Sequence, residues 1–335
     1  MAQRLLKSNN STRFLYFPLD VKDRKITQAI QGNSNVKAVV WGGLGRRALV
    51  ELLEENDVET WRMEDAFIRS TGLGADFILP NSLMLDKTGG IYFDATKPSS
   101  VENYLNHHSF KDEEIHLAKT LIEKIRNNSI TKYNLRGNAF EDEDPSDKGS
   151  NILVFGQCED DASIKLGSPR IKFNTDLIQL ALAENPGSRV YYRPHPDVAR
   201  GLRKSYSDPR SVTGKISFLD IDTSIWDNIS RFDKVYVMTS LAGFEAILRG
   251  KQVRVAGLPF YAGWGISDDL LQCPRRRRKL SKEEVFYGAY VATPLYFDPK
   301  SGQELSLDIV LDKLIDQKSD PSSYKKPVRR PIYQN

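Results

Sequence analysis

The feature that most constrains the fold is the stretch 235–250, where an apolar strand pattern runs directly into a helical one. The apolar run ends in Thr239 and Ser240, and from Leu241 apolar residues recur with helical spacing until Gly250, a residue type that commonly ends helices. A hydroxyl side chain at such a junction caps the helix, and the free N–H groups and helix dipole there attract anions. The sequence therefore predicts a turn that binds an anionic group such as a phosphate.

A histidine between two prolines follows another predicted strand further upstream. Residues 190–193 have a strand pattern, and Pro194, His195 and Pro196 come next. Proline fixes the backbone angle φ, so the two prolines restrict the direction of the imidazole, which can donate to a phosphate oxygen. A purely structural histidine is the alternative. Because both turns follow strands, we predict that they face one phosphate-bearing ligand.

Predicted strands and helices alternate along the chain, which is typical of an α/β protein with parallel sheets. The chain has 335 residues, of which 40% are hydrophobic, enough for two cores. An acidic stretch with proline, glycine and serine at residues 141–150 separates two halves. We predict two Rossmann-like domains facing a cleft, at residues 1–145 and 146–270. Helices and a basic tail at residues 271–335 are predicted to pack back toward the first domain.

The composition excludes several classes of protein. The formal net charge is +4 and the basic residues are spread out, so composition does not indicate nucleic-acid binding. The two cysteines, Cys158 and Cys273, fit neither a disulfide framework nor metal-ligand spacing. No apolar run is long enough to span a membrane, and the N-terminus lacks a signal-peptide pattern. We expect a cytoplasmic protein, with peripheral membrane contact as an open alternative.

Two acidic turns follow predicted strands, one in each half. Asp160 and Asp161 could supply a nucleophile or base, or they could form a solvated turn that caps a helix. Glu64 and Asp65 could accept a proton from a hydroxyl group, or they could cap a helix or pair with a neighbouring arginine. Ligands of open parallel sheets bind at the carboxyl ends of the strands, so we expect these acids near one another at the cleft.

Other candidate residues have weaker signals. Glu245 could accept ribose hydroxyls or pair with Arg249 one helical turn later. Tyr261 lies in an aromatic loop that could stack on a base or sugar, or could pack beneath the loop. Gly43 belongs to a glycine-rich turn, which we interpret as a close approach of the backbone at the cleft. The basic run 275–279 could contact an anionic membrane surface or be a solvated loop.

One hairpin is also predicted, from residues 83–85 and 91–93 on either side of a glycine-containing turn.

Six segments together resemble the bacterial capsule-synthesis β-Kdo glycosyltransferases of the KpsC type. They come in the order found in that family, and the resemblance extends over about 38–300. Typical members carry two transferase modules, and this chain resembles the C-terminal one. Ala66 stands where glycine is usual and Cys158 where valine is usual, and neither change removes a reactive group. The matching segments are residues 61–74, 91–99, 156–164, 193–198, 239–250 and 257–265.

The resemblance implies a GT-B fold, CMP-Kdo as the donor, and a Kdo-terminated glycolipid or oligosaccharide as the acceptor in capsule assembly. It implies retention of configuration, because donor and product are both β-linked. A second transferase module is a possible partner, and contact with the inner face of the inner membrane is another. No nucleic acid is expected. No cofactor or metal is expected either, because protein cations and a helix dipole can bind the phosphate.

The resemblance also implies roles for the reactive groups. Asp161, with Asp160 as its nearest rival, would attack the anomeric carbon C2 and form a glycosyl-enzyme. His195 would donate to the departing CMP phosphate. Glu64 would then deprotonate the acceptor hydroxyl, with Asp65 in support.

The remaining predicted residues bind substrate. Arg193 or Arg69 would pair with the Kdo carboxylate, and Glu245 would bind the ribose. Three alternatives stay open: an inverting, sialyltransferase-like enzyme in which Asp161 is dispensable, a non-catalytic module that binds glycolipid, and a non-transferring sugar-nucleotide enzyme on the same fold. The predicted substrate-binding set is Arg69, Gln157, Arg193, Pro196, Thr239, Ser240, Glu245, Gly43 and Tyr261.

Overall fold

A computed structural model of the chain describes most of its residues, and its strands form two separate sheets. The described residues are 23–33, 35–42, 47–72, 78–134, 149–214 and 216–319. The strands are β1 (Lys37–Trp41), β2 (Glu59–Asp65), β3 (Ser82–Asp86), β4 (Asn151–Phe155), β5 (Arg189–Arg193), β6 (Ile216–Phe218), β7 (Lys234–Val237), β8 (Gln252–Val255), β9 (Asp268–Asp269), β10 (Pro294–Phe297) and β11 (Glu304–Leu305).

Helices cover these sheets and connect their strands. Ser99 caps helix Ser100–His107 by accepting the N–H of Glu102, and helix Asp112–Asn127 follows it. The α-helices are Asp23–Gln31, Arg47–Glu55, Ser100–His107, Asp112–Asn127, Ala162–Gly167, Asn174–Glu184, Pro196–Ala199, Leu241–Leu248, Lys282–Phe286 and Leu307–Ser319. Shorter turns of 3-10 helix lie at Pro209–Ser211 and Trp226–Arg231, and a π-helical turn lies at Tyr287–Ala292.

The sheet of the second half is parallel throughout, as predicted. Its strand order is β6-β5-β4-β7-β8-β9, in which the chain fills one side of β4 and then the other. This is the doubly wound order of dinucleotide-binding folds, and ligands bind where the order reverses, outside the carboxyl ends of the strands. That point lies between β4 and β7.

The sheet of the first half is mixed, which corrects the prediction of parallel sheets throughout. Only β1 and β2 run parallel, while β2, β3, β10 and β11 pair in antiparallel fashion. The predicted hairpin of 83–85 and 91–93 is wrong, because β3 has β2 and β10 on its two sides. The Asp86 carboxylate accepts hydrogen bonds from the N–H groups of Thr88 and Ser100, which turns the chain away from the sheet.

The C-terminal segment returns to the first half. It supplies β10 and β11 to the first sheet, two strands that the sequence analysis did not predict. Helix Leu307–Ser319 packs on helix Asp112–Asn127, where Lys124 pairs with Asp308 (2.6 Å) and Asp312 (2.7 Å). The predicted domain limit at residue 145 lies outside the described residues. No helix within the described ranges is both long and apolar enough to cross a membrane.

The basic run joins the two halves, so the solvated-loop alternative is wrong for three of its arginines, whereas the membrane-contact alternative stays a prediction. Arg275 and Arg276 both pair with Glu102, at 2.6 and 3.1 Å. Arg278 donates to the carbonyls of Leu105 (3.0 Å) and His108 (2.6 Å). Because Glu102 and Arg276 are almost wholly buried, these charges depend on one another for compensation.

We expect Glu102→Gln to lower the free energy of unfolding by about 3 kcal/mol, because it leaves buried arginine charge without its counterion. Glu123→Gln is the matched control, since Glu123 is exposed on a neighbouring helix, and we expect a change within about 0.5 kcal/mol. Chemical denaturation of the three proteins measures both effects. Equal free energies of unfolding for the two variants would show that the Glu102 cluster does not stabilise the contact between the halves.

Candidate functional site

One cleft of about 370 Å³ lies between the two sheets. This volume is in the range of small-ligand sites. The second half contributes the ends of β4, β5 and β7, and the first half contributes the end of β2 and two loops. The polar residues lining it are Glu64, Asp65, Tyr92, Lys132, Tyr133, Gln157, Cys158, Asp161, Ser163, His195, Thr239 and Ser240.

The turn after β7 faces this cleft with the N-terminus of helix Leu241–Leu248. Ser240 caps the helix by accepting the N–H of Ala242 at 3.2 Å. Gln157, at the end of β4, accepts the Thr239 N–H (2.8 Å) and donates to the Thr239 hydroxyl (3.0 Å). The capped helix end therefore has a fixed position next to β4, and its dipole favours an anion.

The aromatic loop supports this turn from beneath. Tyr261 is fully buried and donates its hydroxyl to the Ser240 carbonyl at 2.6 Å. Gly243 makes this possible, because a Cβ there would lie 2.2 Å from the Tyr261 hydroxyl. The predicted stacking of Tyr261 on a ligand is thus wrong, and the packing alternative is correct. Phe260 is the member of the loop that lines the cleft.

The two adjacent aspartates have different surroundings. Asp161 lines the cleft and caps helix Ala162–Gly167, where its Oδ1 accepts the N–H (2.9 Å) and the hydroxyl (2.8 Å) of Ser163. Its other carboxylate oxygen bonds to no described residue. Asp160 does not line the cleft and forms an ion pair with Arg203. Only Asp161 is therefore in place to meet a ligand there.

A directional chain of hydrogen bonds connects the turn after β7 to Asp161. The amide of Gln157 donates to Thr239, the Thr239 hydroxyl donates to Ser163 at 3.2 Å, and the Ser163 hydroxyl donates to Asp161. Each hydroxyl accepts one bond and donates the next, so no member competes with another. The chain fixes the orientation of the Asp161 carboxylate relative to the helix end.

His195 presents a defined ring nitrogen to the cleft. Its Nδ1 accepts the N–H of Asp197 at 3.1 Å and lies 3.3 Å from the Cys158 sulfur. A backbone N–H can only donate, so the proton of the neutral ring lies on Nε2. Burial lowers the pKa of His195, which favours that neutral form. The Nε2–H group has no described partner and can donate to a ligand.

Among the described residues, Cys158, His195 and Asp197 form a group that could hold a metal ion, with one ligand atom from each within 4.8 Å of the others. Two observations favour a hydrogen-bonded cluster over a metal site. The lone pair of Nδ1 is already engaged by the Asp197 N–H. Burial raises the pKa of the Cys158 thiol to about 12, which disfavours the thiolate that a metal requires. That no metal takes part remains a prediction.

The carboxylates at the end of β2 face the cleft from the other side. Burial raises the pKa of Glu64, and the charge of Asp161 adds to that effect, while Lys132 opposes it. Asp65 binds Arg69 through Oδ2 (2.5 Å), whereas its Oδ1 is buried and has no described hydrogen-bond partner.

Lys132 was missed by sequence reasoning. It lies in the loop after helix Asp112–Asn127, and nothing in the adjacent sequence distinguishes it from a solvated lysine. Its backbone N–H donates to Glu245 at 2.9 Å, and its side chain lines the cleft. A three-dimensional contact with Glu245 is what places it there.

Four predicted substrate contacts receive no support, because their side chains do not line the cleft. Arg69 is engaged by Asp65, and Arg193 donates to the Ile221 carbonyl at 2.7 Å. Burial raises the pKa of Glu245 to about 7. Its carboxylate accepts the backbone N–H of Lys132, and the predicted contact with a ribose receives no support. Pro196 is the first residue of helix Pro196–Ala199.

Gly43, the remaining predicted contact, lies outside the described residues.

The chain is similar to known capsule proteins. LipA, a capsule polysaccharide modification protein of Neisseria meningitidis serogroup A, is 39% identical over 287 residues, 86% of this chain and 40% of LipA. The lipopolysaccharide-processing protein LpsZ of Rhizobium meliloti is 38% identical over 283 residues, 84% of this chain and 64% of LpsZ. The chain thus spans less than two thirds of the length of either relative.

Two solved structures of Thermosulfurimonas dismutans KpsC share the fold. The β-Kdo 2,4 transferase matches with a TM-score of 0.76 and 33% identity, over 83% of this chain and 86% of that one. The β-Kdo 2,7 transferase matches with a TM-score of 0.70 and 33% identity, over 95% of both. The family model described as capsule polysaccharide biosynthesis protein matches residues 39–297. The chain therefore belongs to the capsule polysaccharide biosynthesis protein family, which confirms the resemblance seen in the sequence.

Proposed function

We propose that this chain is a retaining β-Kdo glycosyltransferase with a GT-B arrangement. It would use CMP-Kdo to extend a β-linked Kdo chain on a lipid-linked acceptor for capsule assembly. One observation carries the proposal: Asp161, His195 and the capped turn at Ser240 share a cleft with Glu64 of the other half. The choice of Kdo as the sugar is supported by the family to which the chain belongs and by the names of its two structural neighbours, both Kdo transferases.

The donor phosphate belongs at the end of β7. The N-terminus of helix Leu241–Leu248 offers partial positive charge there, and His195 offers its Nε2–H. These groups stabilise the negative charge that develops on the phosphate as the bond to C2 breaks. A nucleotide bound in this way leaves with the electron pair of that bond.

Asp161 is the proposed nucleophile. Its carboxylate forms a bond to C2 as the bond from C2 to the phosphate oxygen breaks, which inverts the configuration once. The acceptor hydroxyl then forms its bond to C2 as the Asp161 ester bond breaks, which inverts it again. Two inversions give net retention. The two hydrogen bonds from Ser163 hold the carboxylate in one orientation for both steps.

Glu64 is the proposed general base of the second step. It lies in the half of the cleft opposite Asp161, and it would take the proton of the acceptor hydroxyl. Its raised pKa makes it a stronger base than an ordinary carboxylate. Asp65, which also lines the cleft, would support Glu64 in this role.

An inverting transferase is the second candidate, because Asp161 also has a structural task as a helix cap. In that mechanism Glu64 or Asp65 is the one essential carboxylate. Proton NMR of the product anomer separates the two candidates. A module that only binds glycolipid is a third candidate, and it would not consume CMP-Kdo.

We expect Asp161→Asn to lower kcat by about 10⁴-fold while the protein stays folded, because asparagine also caps helices. Asp160→Asn is the matched control and should keep activity within about tenfold, because Asp160 pairs with Arg203 outside the cleft lining. Initial rates with CMP-Kdo and a synthetic Kdo acceptor measure both.

Intact mass spectrometry provides a second measurement for the nucleophile. The Glu64→Gln variant should accumulate a Kdo adduct on Asp161, because it forms the ester but lacks the base that removes it. An adduct on another residue, or a fully active Asp161→Asn enzyme, would contradict the assignment.

We expect kcat/KM for the acceptor to fall as the pH drops through the pKa of Glu64, because the protonated acid cannot accept the proton of the acceptor hydroxyl. Burial raises this pKa above the ordinary value of 4.5, so the loss should begin above that pH. In Glu64→Gln the rate should be lower by about 10²- to 10⁴-fold and this acidic limb should be absent. A wild-type profile that stays flat down to pH 4.5 would exclude Glu64 as the base.

A further inference from the structure

Lys132 is a cation without an ionic partner in the cleft. Among the described lining residues it is the only lysine or arginine. Its ammonium forms no salt bridge or hydrogen bond with any described residue, and it lies 5.6 Å from the centre of the Tyr133 ring. Half-buried lysines usually have a counterion, so this one is available to an anionic ligand.

The charge of Lys132 is maintained by its surroundings. Burial lowers its pKa, but electrostatic interactions with neighbouring groups, the carboxylates of Asp65 and Glu64 among them, outweigh burial and hold the pKa above its ordinary value. The ammonium is therefore present over the whole physiological pH range. It is held in place from behind by the hydrogen bond between its own backbone N–H and buried Glu245.

Lys132 lines the same cleft as the groups that would surround C2 in the proposed mechanism. It interacts electrostatically with Glu64 and with His195, and both of these also interact with Asp161. The phosphate already has the helix N-terminus and His195 as partners.

We propose that Lys132 binds the carboxylate of the sugar donor, an inference that rests on the proposed function. In a 2-keto sugar acid the carboxylate is attached to the anomeric carbon itself, one bond from the point of attack. A cation beside that carbon selects such sugars over neutral ones, and it offsets the repulsion between the substrate carboxylate and the acids of the cleft. This role replaces the one predicted for Arg69 or Arg193.

Equilibrium binding of CMP-Kdo and of CMP tests the inference, in the Asp161→Asn background so that the donor is not consumed. Lys132→Met should weaken CMP-Kdo binding by about tenfold or more, since a charged hydrogen bond is lost, and leave CMP binding within about twofold. Lys132→Arg should keep most of the affinity for CMP-Kdo. Lys119→Met, the same change on an exposed helix face, is the matched control and should alter neither.

Three results would overturn the inference. An equal loss for CMP and CMP-Kdo would mean that Lys132 contacts the phosphate. No loss for either would mean that it contacts no part of the donor. A shifted pH profile of transfer with unchanged affinity would mean that it acts on Glu64 alone. Failure of the proposed function can be told apart from failure of this inference. In the first case the wild-type chain transfers no Kdo, whatever the binding measurements on the Lys132 variants show.

Discussion

The hydrogen bonds between Gln157 and Thr239 are the interaction on which the site depends. They join the ends of β4 and β7 at the point where the strand order reverses, and they continue through Ser163 to Asp161. The anion-binding turn and the acidic turn are consequently one connected unit. In a doubly wound sheet such a unit can form only there, because at that point the connections from two neighbouring strands leave on opposite faces and a crevice opens.

The same helix organises both walls of the cleft. Its N-terminus at Ser240 faces the anion site, while in its second turn Glu245 accepts the backbone N–H of Lys132. Arg249, just beyond the helix, donates to the Ile130 carbonyl at 2.8 Å. Buried polar contacts are expensive to leave unsatisfied, so they fix the loop of Lys132 in one register against the second half. The distance between the anion site and Lys132 is thus set by one short helix.

Local signals in the sequence were sufficient for the second half and insufficient for the first. Strands β4, β5 and β7 are largely apolar runs, and the turn after each contains a capping or proline-bounded residue, so Asp161, His195 and Ser240 could be assigned to one edge of a parallel sheet. The first sheet depends on β10, which pairs with β3 from more than 200 residues away, and no local pattern encodes that pairing. Lys132 was missed for the same reason.

Two of the carboxylates in the cleft, Glu64 and Asp161, influence one another in a way that suits a two-step reaction. Burial raises the pKa of Glu64, and the negative charge of Asp161 raises it further. When Asp161 becomes an ester in the proposed intermediate, this smaller contribution is lost, while burial, the main cause, still holds the pKa of Glu64 above its ordinary value. Glu64 is then more fully ionised at the step in which it must accept a proton. If Lys132 neutralises the sugar carboxylate, the bound sugar does not replace the negative charge that Asp161 has lost. Formation of the intermediate then favours the ionised form of Glu64, which is the form that accepts a proton.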